Sequence, residues 1–197
     1  MKKIILALAL LNSLAFGKTI FTKELVKELE QKCEEGYFKA CGAAGLFYGD
    51  PAALGGDISD INYGKKLYFY KKACDEREYV ACSNIGAMYF KGEGVEKDYK
   101  KAMELFTKAC DNGVAAACNG LGYMYASNLG VRVDRAKAMG YYKMACDGGD
   151  SVGCGNLAES LEENGYNVEA ARYYKKACKL GKNEDPFNLM IQKFCDK

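Results

Sequence analysis

The sequence predicts an all-α protein, a solenoid of antiparallel helix pairs cross-linked by disulfides. Three observations predict this fold. A segment of 36 residues repeats along the chain, apolar residues recur at helical spacing within each repeat, and cysteines occur in pairs eight residues apart. A chain of 197 residues, 49% of them hydrophobic and only two of them proline, has enough apolar residues for a sizeable core.

The repeat is visible without any gap in the middle of the chain. Residues 81–113 (ACSNIGAMYFKGEGVEKDYKKAMELFTKACDNG) align with residues 117–149 (ACNGLGYMYASNLGVRVDRAKAMGYYKMACDGG). Residues 153–181 are the same unit shortened by four residues, and residues 40–77 are the unit lengthened by five around GDPAALGGD. We therefore expect repeats at about 38–75, 78–111, 114–147 and 150–180, with the length changes in loops between helices.

Each unit contains a first helix, A, and a second helix, B. On helix B, an aromatic residue lies four positions before the first cysteine of each pair, and a small residue lies eight positions before it in three of the four units. Offsets of four and eight share one helix face, which predicts the buried stripe of helix B. These positions are Tyr70, Phe106, Tyr142 and Tyr174 at offset four, and Lys66, Ala102, Ala138 and Ala170 at offset eight.

Helix A carries a small residue four positions after the second cysteine, and a tyrosine or leucine seven positions after it. Glycine inside a helix costs about 0.5 to 1 kcal/mol relative to alanine, so its recurrence suggests that another backbone passes close by. The tyrosines could line a ligand groove, but at this spacing they favour helix core. The residues are Gly45, Gly86, Gly122 and Ala158 at offset four, and Tyr48, Tyr89, Tyr125 and Leu161 at offset seven.

The cysteine pairs constrain the path of the chain. Residues eight apart in one straight helix are separated by about 12 Å along the axis, whereas bridged cysteines have Cα atoms roughly 4.4 to 6.8 Å apart. If each pair is bonded, the chain must reverse between its cysteines. Gly36, Gly113 and Gly149, with Gly181 at the same offset, suit the left-handed residue that ends a helix, and Arg77 is an exception that predicts modest backbone strain.

Disulfides are the preferred interpretation of the ten cysteines, and a zinc site is the alternative. Zinc clusters commonly use C-x2-C spacing or histidine, and the sequence contains neither. We predict that all ten cysteines are disulfide-bonded: Cys33, Cys41, Cys74, Cys82, Cys110, Cys118, Cys146, Cys154, Cys178 and Cys195.

The first seventeen residues, MKKIILALALLNSLAFG, predict a secretory signal peptide cleaved before Lys18. They combine two lysines, an apolar run too short for a membrane span, and small residues near the end. Removing them leaves 26 basic residues against 26 acidic ones. This balance predicts no nucleic-acid partner and no membrane insertion after cleavage.

Both ends of residues 18–197, a single predicted repeat domain, have capping elements. An opening helix at 22–34 is expected to turn Leu25, Val26 and Leu29 inward. A final helix at 186–195 follows Asp185 as N-cap and Pro186 as a first-turn residue, and it carries apolar residues toward Cys195. A bridge from Cys178 to Cys195 would fix this helix on the last repeat.

The pattern A-C-x-N-[IL]-G-x-M-Y…G-V…D-x-x-K-A-M-x-x-[FY]-x-K-A-C-D-x-G resembles the Sel1-like repeat, a relative of the tetratricopeptide repeat, in the form typical of the secreted Helicobacter cysteine-rich proteins. The resemblance covers residues 33–181. It implies a right-handed superhelix in which disulfides join each helix B to the following helix A. The shortened fourth unit, the lengthened first unit and the missing asparagine before Gly45 depart from the pattern.

The resemblance also raises the question of an enzyme, because some family members are described as binding or slowly hydrolysing β-lactams. Serine β-lactamases need S-x-x-K, S-D-N and K-T-G, and the sequence contains none of the three. A metallo-enzyme of that class would need histidine ligands, and a Ser-His or Cys-His nucleophile pair also requires histidine. We identify no catalytic residues and no metal ligands, and we expect no cofactor.

A binding role is the leading functional hypothesis. Superhelical repeat proteins present extended surfaces to peptides and proteins. In tetratricopeptide-type arrays, asparagines of the A helices hold the backbone of an extended peptide, and the matching positions are Asn84 and Asn156, with Gly120 interrupting the series. We therefore expect a secreted or periplasmic, monomeric scaffold for a protein or peptide ligand, with weak β-lactam binding or hydrolysis as the alternative.

Overall fold

The computed structural model describes residues 23–50, 61–184 and 189–197, with the side chains of 23, 24, 182–184 and 189–191 left undescribed. Within these ranges the chain forms helices and turns and no strand, which confirms the all-α class. The predicted signal peptide, most of the loop in the first unit, and Asp185 with Pro186 lie outside the described residues. The ten helices of the described part are α1 Lys23–Glu34, α2 Phe38–Phe47, α3 Tyr63–Asp75, α4 Tyr79–Lys91, α5 Tyr99–Cys110, α6 Ala115–Ala126, α7 Arg135–Asp147, α8 Ser151–Glu163, α9 Asn167–Glu184 and α10 Leu189–Cys195.

The chain divides into two compact units, one ending at Phe69 and one beginning at Tyr70. In the first unit, α1 packs against α2. In the second unit, α4 and α5, α6 and α7, and α8 and α9 are packed pairs, and each pair contacts the next. The prediction of one domain over residues 18–197 stays a prediction.

Three of the B helices begin at a side-chain cap that repeats every 36 residues. The side-chain oxygens of Asn62, Asp98 and Asp134 each accept a hydrogen bond from the backbone N–H three residues later, at 2.9, 3.0 and 2.9 Å. These bonds satisfy N–H groups that the first turn of a helix leaves without partners. The caps therefore fix the start of α3, α5 and α7.

Each turn from helix B to helix A contains one residue with left-handed backbone conformation. Gly36, Gly113 and Gly149 have φ of 91°, 84° and 93°. Arg77 occupies the same place with φ 68°, which confirms the exception that the sequence predicts.

The expected helix end at Gly181 is wrong. Gly181 is buried inside α9, which continues to Glu184. The four earlier disulfides force an immediate reversal because their second cysteine follows after eight residues. Cys195 lies seventeen residues from Cys178, so the chain does not have to turn at Gly181.

The predicted stripe of helix B forms the core. Its aromatic residues at offset four and its alanines at offset eight are all buried, while Lys66 is half-buried. Burying such aromatic side chains contributes roughly 1.5 to 3 kcal/mol each. The buried members are Tyr70, Phe106, Tyr142, Tyr174, Ala102, Ala138 and Ala170.

Two glycines of the A helices, Gly86 and Gly122, admit aromatic rings. The expectation of a passing backbone holds at Gly122, where a Cβ would lie 3.2 Å from the backbone oxygen of Ala138, whereas at Gly86 the nearest atoms all belong to side chains. A Cβ placed on Gly86 would lie 2.9 Å from Cδ1 of Phe106, and one on Gly122 would lie 2.5 Å from Cδ1 of Tyr142. A side chain at either position would displace the ring of the paired helix B. A small residue facing an aromatic one is thus the contact that joins α4 to α5 and α6 to α7.

The tyrosines at offset seven are half-buried, so the assignment to helix core holds for one ring face only. The other face lies below a lysine amine: Lys65 over Tyr48, Lys101 over Tyr89 and Lys137 over Tyr125, at 4.8, 5.2 and 5.3 Å from the ring centroids. Each lysine is three residues beyond an N-cap, so the caps also set these cation–π contacts.

The two ends carry their own apolar contacts. In α1, Val26 and Leu29 are buried and Leu25 is half-buried, as predicted. In α10, Phe194 is buried against Tyr174 and presses on the backbone of Gly155 in α8. Among the helices of the described ranges, none combines the length and apolarity needed to cross a membrane.

Candidate functional site

Five disulfides connect helices that follow one another in the chain. Their Cα–Cα distances run from 4.4 to 4.9 Å, within the range expected for bridged cysteines. Each of the first four links the end of one helix to the start of the next across a reversal of the chain. The pairs are Cys33–Cys41, Cys74–Cys82, Cys110–Cys118, Cys146–Cys154 and Cys178–Cys195.

A cleft of about 280 Å³ opens between two consecutive A helices of the second unit, α6 and α8, above α7. We call it the α6–α8 cleft. Its walls combine aromatic rings, amides, hydroxyls, carboxylates and one guanidinium group from three helices and their turns. The lining residues are Tyr123, Ala126, Ser127, Arg135, Ala138, Met139, Tyr142, Asn156, Glu159, Ser160, Glu163 and Asn164.

The two asparagines predicted to bind peptide have different surroundings. Asn156 lines the cleft, and its Nδ2 donates to Oδ1 of Asn119 on α6 at 2.8 Å. Asn84 does not line this cleft, and its side chain hydrogen-bonds the hydroxyl of the buried Tyr70. Asn156 therefore faces a space that a ligand can enter, whereas Asn84 has a partner inside the fold.

Gly120 interrupts the asparagine series for a packing reason. A Cβ on Gly120 would lie 3.2 Å from Cε2 of Phe106, so the ring of α5 takes the room that an asparagine would need. Phe106 occupies the position in its repeat that Tyr70 occupies in the preceding repeat, and it has no hydroxyl to form a hydrogen bond. Asn119, one residue earlier, accepts the hydrogen bond from Asn156 instead.

Tyr142 forms the floor of the cleft. Burial, together with the nearby Tyr123, Glu159 and Glu163, raises the pKa of its hydroxyl to about 12. The side chain is therefore a neutral phenol at physiological pH, able to donate one hydrogen bond and to accept others.

The small polar groups on α8 use their donors within the helix and its end. The Ser160 hydroxyl donates to the backbone oxygen of Asn156 at 2.8 Å, and Nδ2 of Asn164 donates to the backbone oxygen of Ser160 at 2.7 Å. The lone pairs of Ser160 Oγ and Asn164 Oδ1 remain as acceptors. The Ser160 hydroxyl proton is therefore directed at the backbone of its own helix and not at a side-chain base.

Two glutamates border the cleft. Glu159 forms an ion pair with Lys193 of α10. Glu163 is exposed and has no ion pair among the described residues. Within the residues that the structure covers, no three His, Cys, Asp or Glu side chains are grouped closely enough to hold a metal ion.

Sequence reasoning missed most of the cleft. It assigned Tyr142 to the core alone and did not single out Tyr123, Glu159 or Glu163. A usable signal was the position five residues after the second cysteine, which holds Leu46, Ala87, Tyr123 and Glu159 in successive units. That position changes chemistry from repeat to repeat, as expected for a surface that selects a ligand while the core positions stay alike.

Together, the stacked helix pairs and the disulfides between consecutive helices define an α-solenoid of tetratricopeptide type. The Sel1 repeat family model matches residues 80–114, 115–150 and 161–182. The chain is also similar to Helicobacter pylori cysteine rich protein B, with 30% identity over 71% of this chain and 98% of that one, and a TM-score of 0.50. The chain therefore belongs to the Sel1-like repeat proteins of the Helicobacter cysteine-rich family, which confirms the resemblance.

Two further similarities concern longer proteins. A protective antigen of uropathogenic Escherichia coli strains that displays an SLR fold superposes with a TM-score of 0.70 at 27% identity, over 79% of this chain and 33% of the antigen. HcpC of Helicobacter pylori, whose name marks it as a candidate β-lactamase, is 45% identical over 38 residues, which are 19% of this chain and 12% of HcpC. This chain thus spans only a minor part of either protein.

Proposed function

We propose that the chain is an exported scaffold that binds a segment of another polypeptide in the α6–α8 cleft. The observation that carries the proposal is the convergence of Tyr123, Asn156 and the carboxylates of α8 on one open cleft between consecutive A helices. An extended polypeptide offers alternating N–H and C=O groups, which such polar side chains can pair. The rigid helices hold these groups in place before binding, which lowers the entropic cost of association.

Export is part of the proposal. In the described residues all ten cysteines are bonded in five pairs, and such bonds persist in oxidising compartments. The predicted signal peptide at residues 1–17 supplies a route to the periplasm or the exterior. A formal charge near zero after its removal suits a protein ligand better than nucleic acid.

The experiment is site-specific photo-crosslinking in the exported, oxidised protein. A photoreactive phenylalanine analogue replaces Tyr123 in the cleft, and a matched variant carries it at Tyr166, an exposed tyrosine on the turn between α8 and α9. We expect covalent attachment of a polypeptide at position 123 and little at position 166. Equal labelling of both positions, or none at position 123, would exclude the cleft as the binding site.

A second candidate function is weak β-lactam binding or hydrolysis, and it rests on the relationship to HcpC. The lining residues do not favour it, because the Ser160 hydroxyl is bonded to its own helix and Tyr142 is a neutral phenol. Turnover of a chromogenic cephalosporin by purified oxidised protein decides between the candidates. Saturable hydrolysis that disappears when reduction unfolds the protein would reverse their order.

A further inference from the structure

The hydroxyl of Tyr142 differs from those of the other tyrosines in its repeat position. Tyr70 is hydrogen-bonded by Asn84, and the Tyr174 hydroxyl donates to Glu162 Oε2 at 2.8 Å. Tyr142 is only 4% exposed, yet its hydroxyl has no hydrogen-bond partner among the described residues. No buried side-chain oxygen of the described part lacks a hydrogen-bond partner, so the Tyr142 hydroxyl opens into the α6–α8 cleft, where a ligand can reach it.

Several acceptors and two carboxylates lie near this hydroxyl. The carboxylates of Glu159 and Glu163 are close enough to raise its pKa. Ser160 donates its one hydroxyl proton to a backbone oxygen, and Asn156 and Asn164 each use one of their two amide N–H groups within the fold, so the oxygens of all three side chains are available as acceptors. The ring of Tyr123, 49% exposed, adds a π face to the wall.

We infer that the α6–α8 cleft holds a lysine or arginine side chain of the bound polypeptide. An ammonium or guanidinium group brings several donors and no acceptor, which complements carboxylates, amide oxygens and a phenol oxygen. The same cation gains from the exposed face of Tyr123. Arg135, also on the lining, offers donors to a carbonyl oxygen of the same polypeptide.

Glu163 is the strongest anchor in this arrangement. Glu159 is already ion-paired with Lys193, whereas Glu163 lines the cleft and has no ion pair among the described residues. A ligand cation that reaches Glu163 therefore displaces no internal partner. This inference rests on the proposed function, because it names the chemistry of the polypeptide that the cleft binds.

The experiment uses pools of random nine-residue peptides that differ only at the central position, which holds lysine, arginine, norleucine, glutamine or glutamate. Binding to the oxidised protein, residues 18–197, is measured by fluorescence anisotropy at low and high salt. We expect the lysine and arginine pools to bind about tenfold more tightly than the norleucine pool, with the difference shrinking at high salt. Glu163→Gln should remove most of this preference, while Glu104→Gln, which changes an exposed glutamate of α5 away from the cleft, should leave it intact.

A pair of tyrosine variants separates binding from folding. Tyr142→Phe removes a hydroxyl that has no internal partner, so we expect an unchanged melting temperature and several-fold weaker binding of the lysine pool. Tyr70→Phe removes a hydroxyl that is bonded to Asn84, so we expect a lower melting temperature and an unchanged preference. Phe106, at the same position of the repeat, shows that phenylalanine fits there.

The outcomes distinguish this inference from the proposal beneath it. Binding without preference for lysine or arginine, or a preference that survives Glu163→Gln, would overturn the inference and leave the polypeptide-binding scaffold standing. Failure of every pool to bind, together with an absence of crosslinks at position 123, would overturn both. A melting temperature that falls as far in Tyr142→Phe as in Tyr70→Phe would show that the Tyr142 hydroxyl serves the fold.

Discussion

Single residues explain where one repeat differs from the next. At the left-handed position of the B-to-A turn, three units have glycine and one has Arg77. At the offset-four position of helix B, Tyr70 is hydrogen-bonded by Asn84 of the next A helix, whereas Phe106 fills the space beside Gly120. The Tyr142 hydroxyl has no partner among the described residues. Sequence comparison among the repeats predicted the first difference. It could not predict the second, because hydrogen-bond partners depend on how neighbouring helices are set against each other.

Arg77→Gly should stabilise the protein by about 0.5 to 1 kcal/mol. A residue with a Cβ in the left-handed region costs roughly 1 to 2 kcal/mol, part of which the greater freedom of glycine in the unfolded chain offsets. The measurement is the free energy of unfolding in urea under oxidising conditions. Gly113→Arg is the matched reverse change and should destabilise by a similar amount; a loss of stability in Arg77→Gly would show that the arginine side chain contributes more than its backbone costs.

At the scale of helices, the fold depends on how each helix begins and what joins it to the next. Apolar spacing and glycine positions were enough to predict the helices and their core faces. The caps at Asn62, Asp98 and Asp134 and the lysines over the A-helix tyrosines recur with the same period, so they too were accessible to sequence reasoning. The cleft was accessible only in part: the variable position five residues after the second cysteine marks its wall, but its shape depends on how two consecutive A helices lie side by side.

Asp134→Ala should destabilise the protein by about 1 kcal/mol, because it leaves an N–H of the first turn of α7 without its side-chain acceptor. Asp134→Asn keeps an acceptor at the same place and should retain most of the stability. Urea unfolding of the two variants checks this. Equal losses in both would mean that the charge of Asp134, which also lies 3.9 Å from the Lys137 amine, matters more than the cap.

Acid should weaken the contact between α1, α2 and α3 in the first unit. The Tyr48 hydroxyl donates to Glu30 at 2.7 Å, and the Lys65 amine donates to both Glu30 and Tyr48 at 2.9 Å. Burial alone would raise the pKa of Glu30, but these two hydrogen bonds outweigh it and hold the pKa below the ordinary value of 4.5. The carboxylate therefore contributes stability that is present above pH 4.5 and is lost as the pH falls through its lowered pKa.

The variant that tests this is Glu30→Gln. We expect it to be less stable than the native chain by about 0.2 to 1 kcal/mol at neutral pH, since the pair is partly exposed, and equally stable once the pH is well below 4.5. Unfolding curves collected from pH 3 to pH 7 provide the comparison. A difference that stays constant over this range would assign the effect to lost packing.

At the scale of the whole molecule, local contacts dominate. Repeats contact only their neighbours, so few long-range contacts hold the fold together. The disulfides between consecutive helices supply additional stability. A loop of about nine residues closed by a disulfide is worth roughly 2.5 kcal/mol, in an entropic account that is model-dependent, against a domain stability of about 5 to 15 kcal/mol. The period and the cysteine spacing predicted this architecture. They do not predict the partner, which depends on the side chains of a single cleft.

Reduction of all five disulfides should therefore unfold the protein at 37 °C. The measurement is the helical circular dichroism signal during heating, for the oxidised protein and for protein that has been reduced and alkylated. We expect a cooperative transition in the first sample and a weak, sloping signal in the second. A reduced sample that keeps its helix content and its transition temperature would show that packing alone suffices.

Export and the five disulfides that join consecutive helices are tested together by mass spectrometry of the protein recovered outside the cytoplasm and digested without reduction. We expect a mature chain that starts at Lys18, contains no free thiol, and yields the linked peptides Cys33–Cys41, Cys74–Cys82, Cys110–Cys118, Cys146–Cys154 and Cys178–Cys195. Free cysteines, or bonds between cysteines of distant repeats, would contradict it.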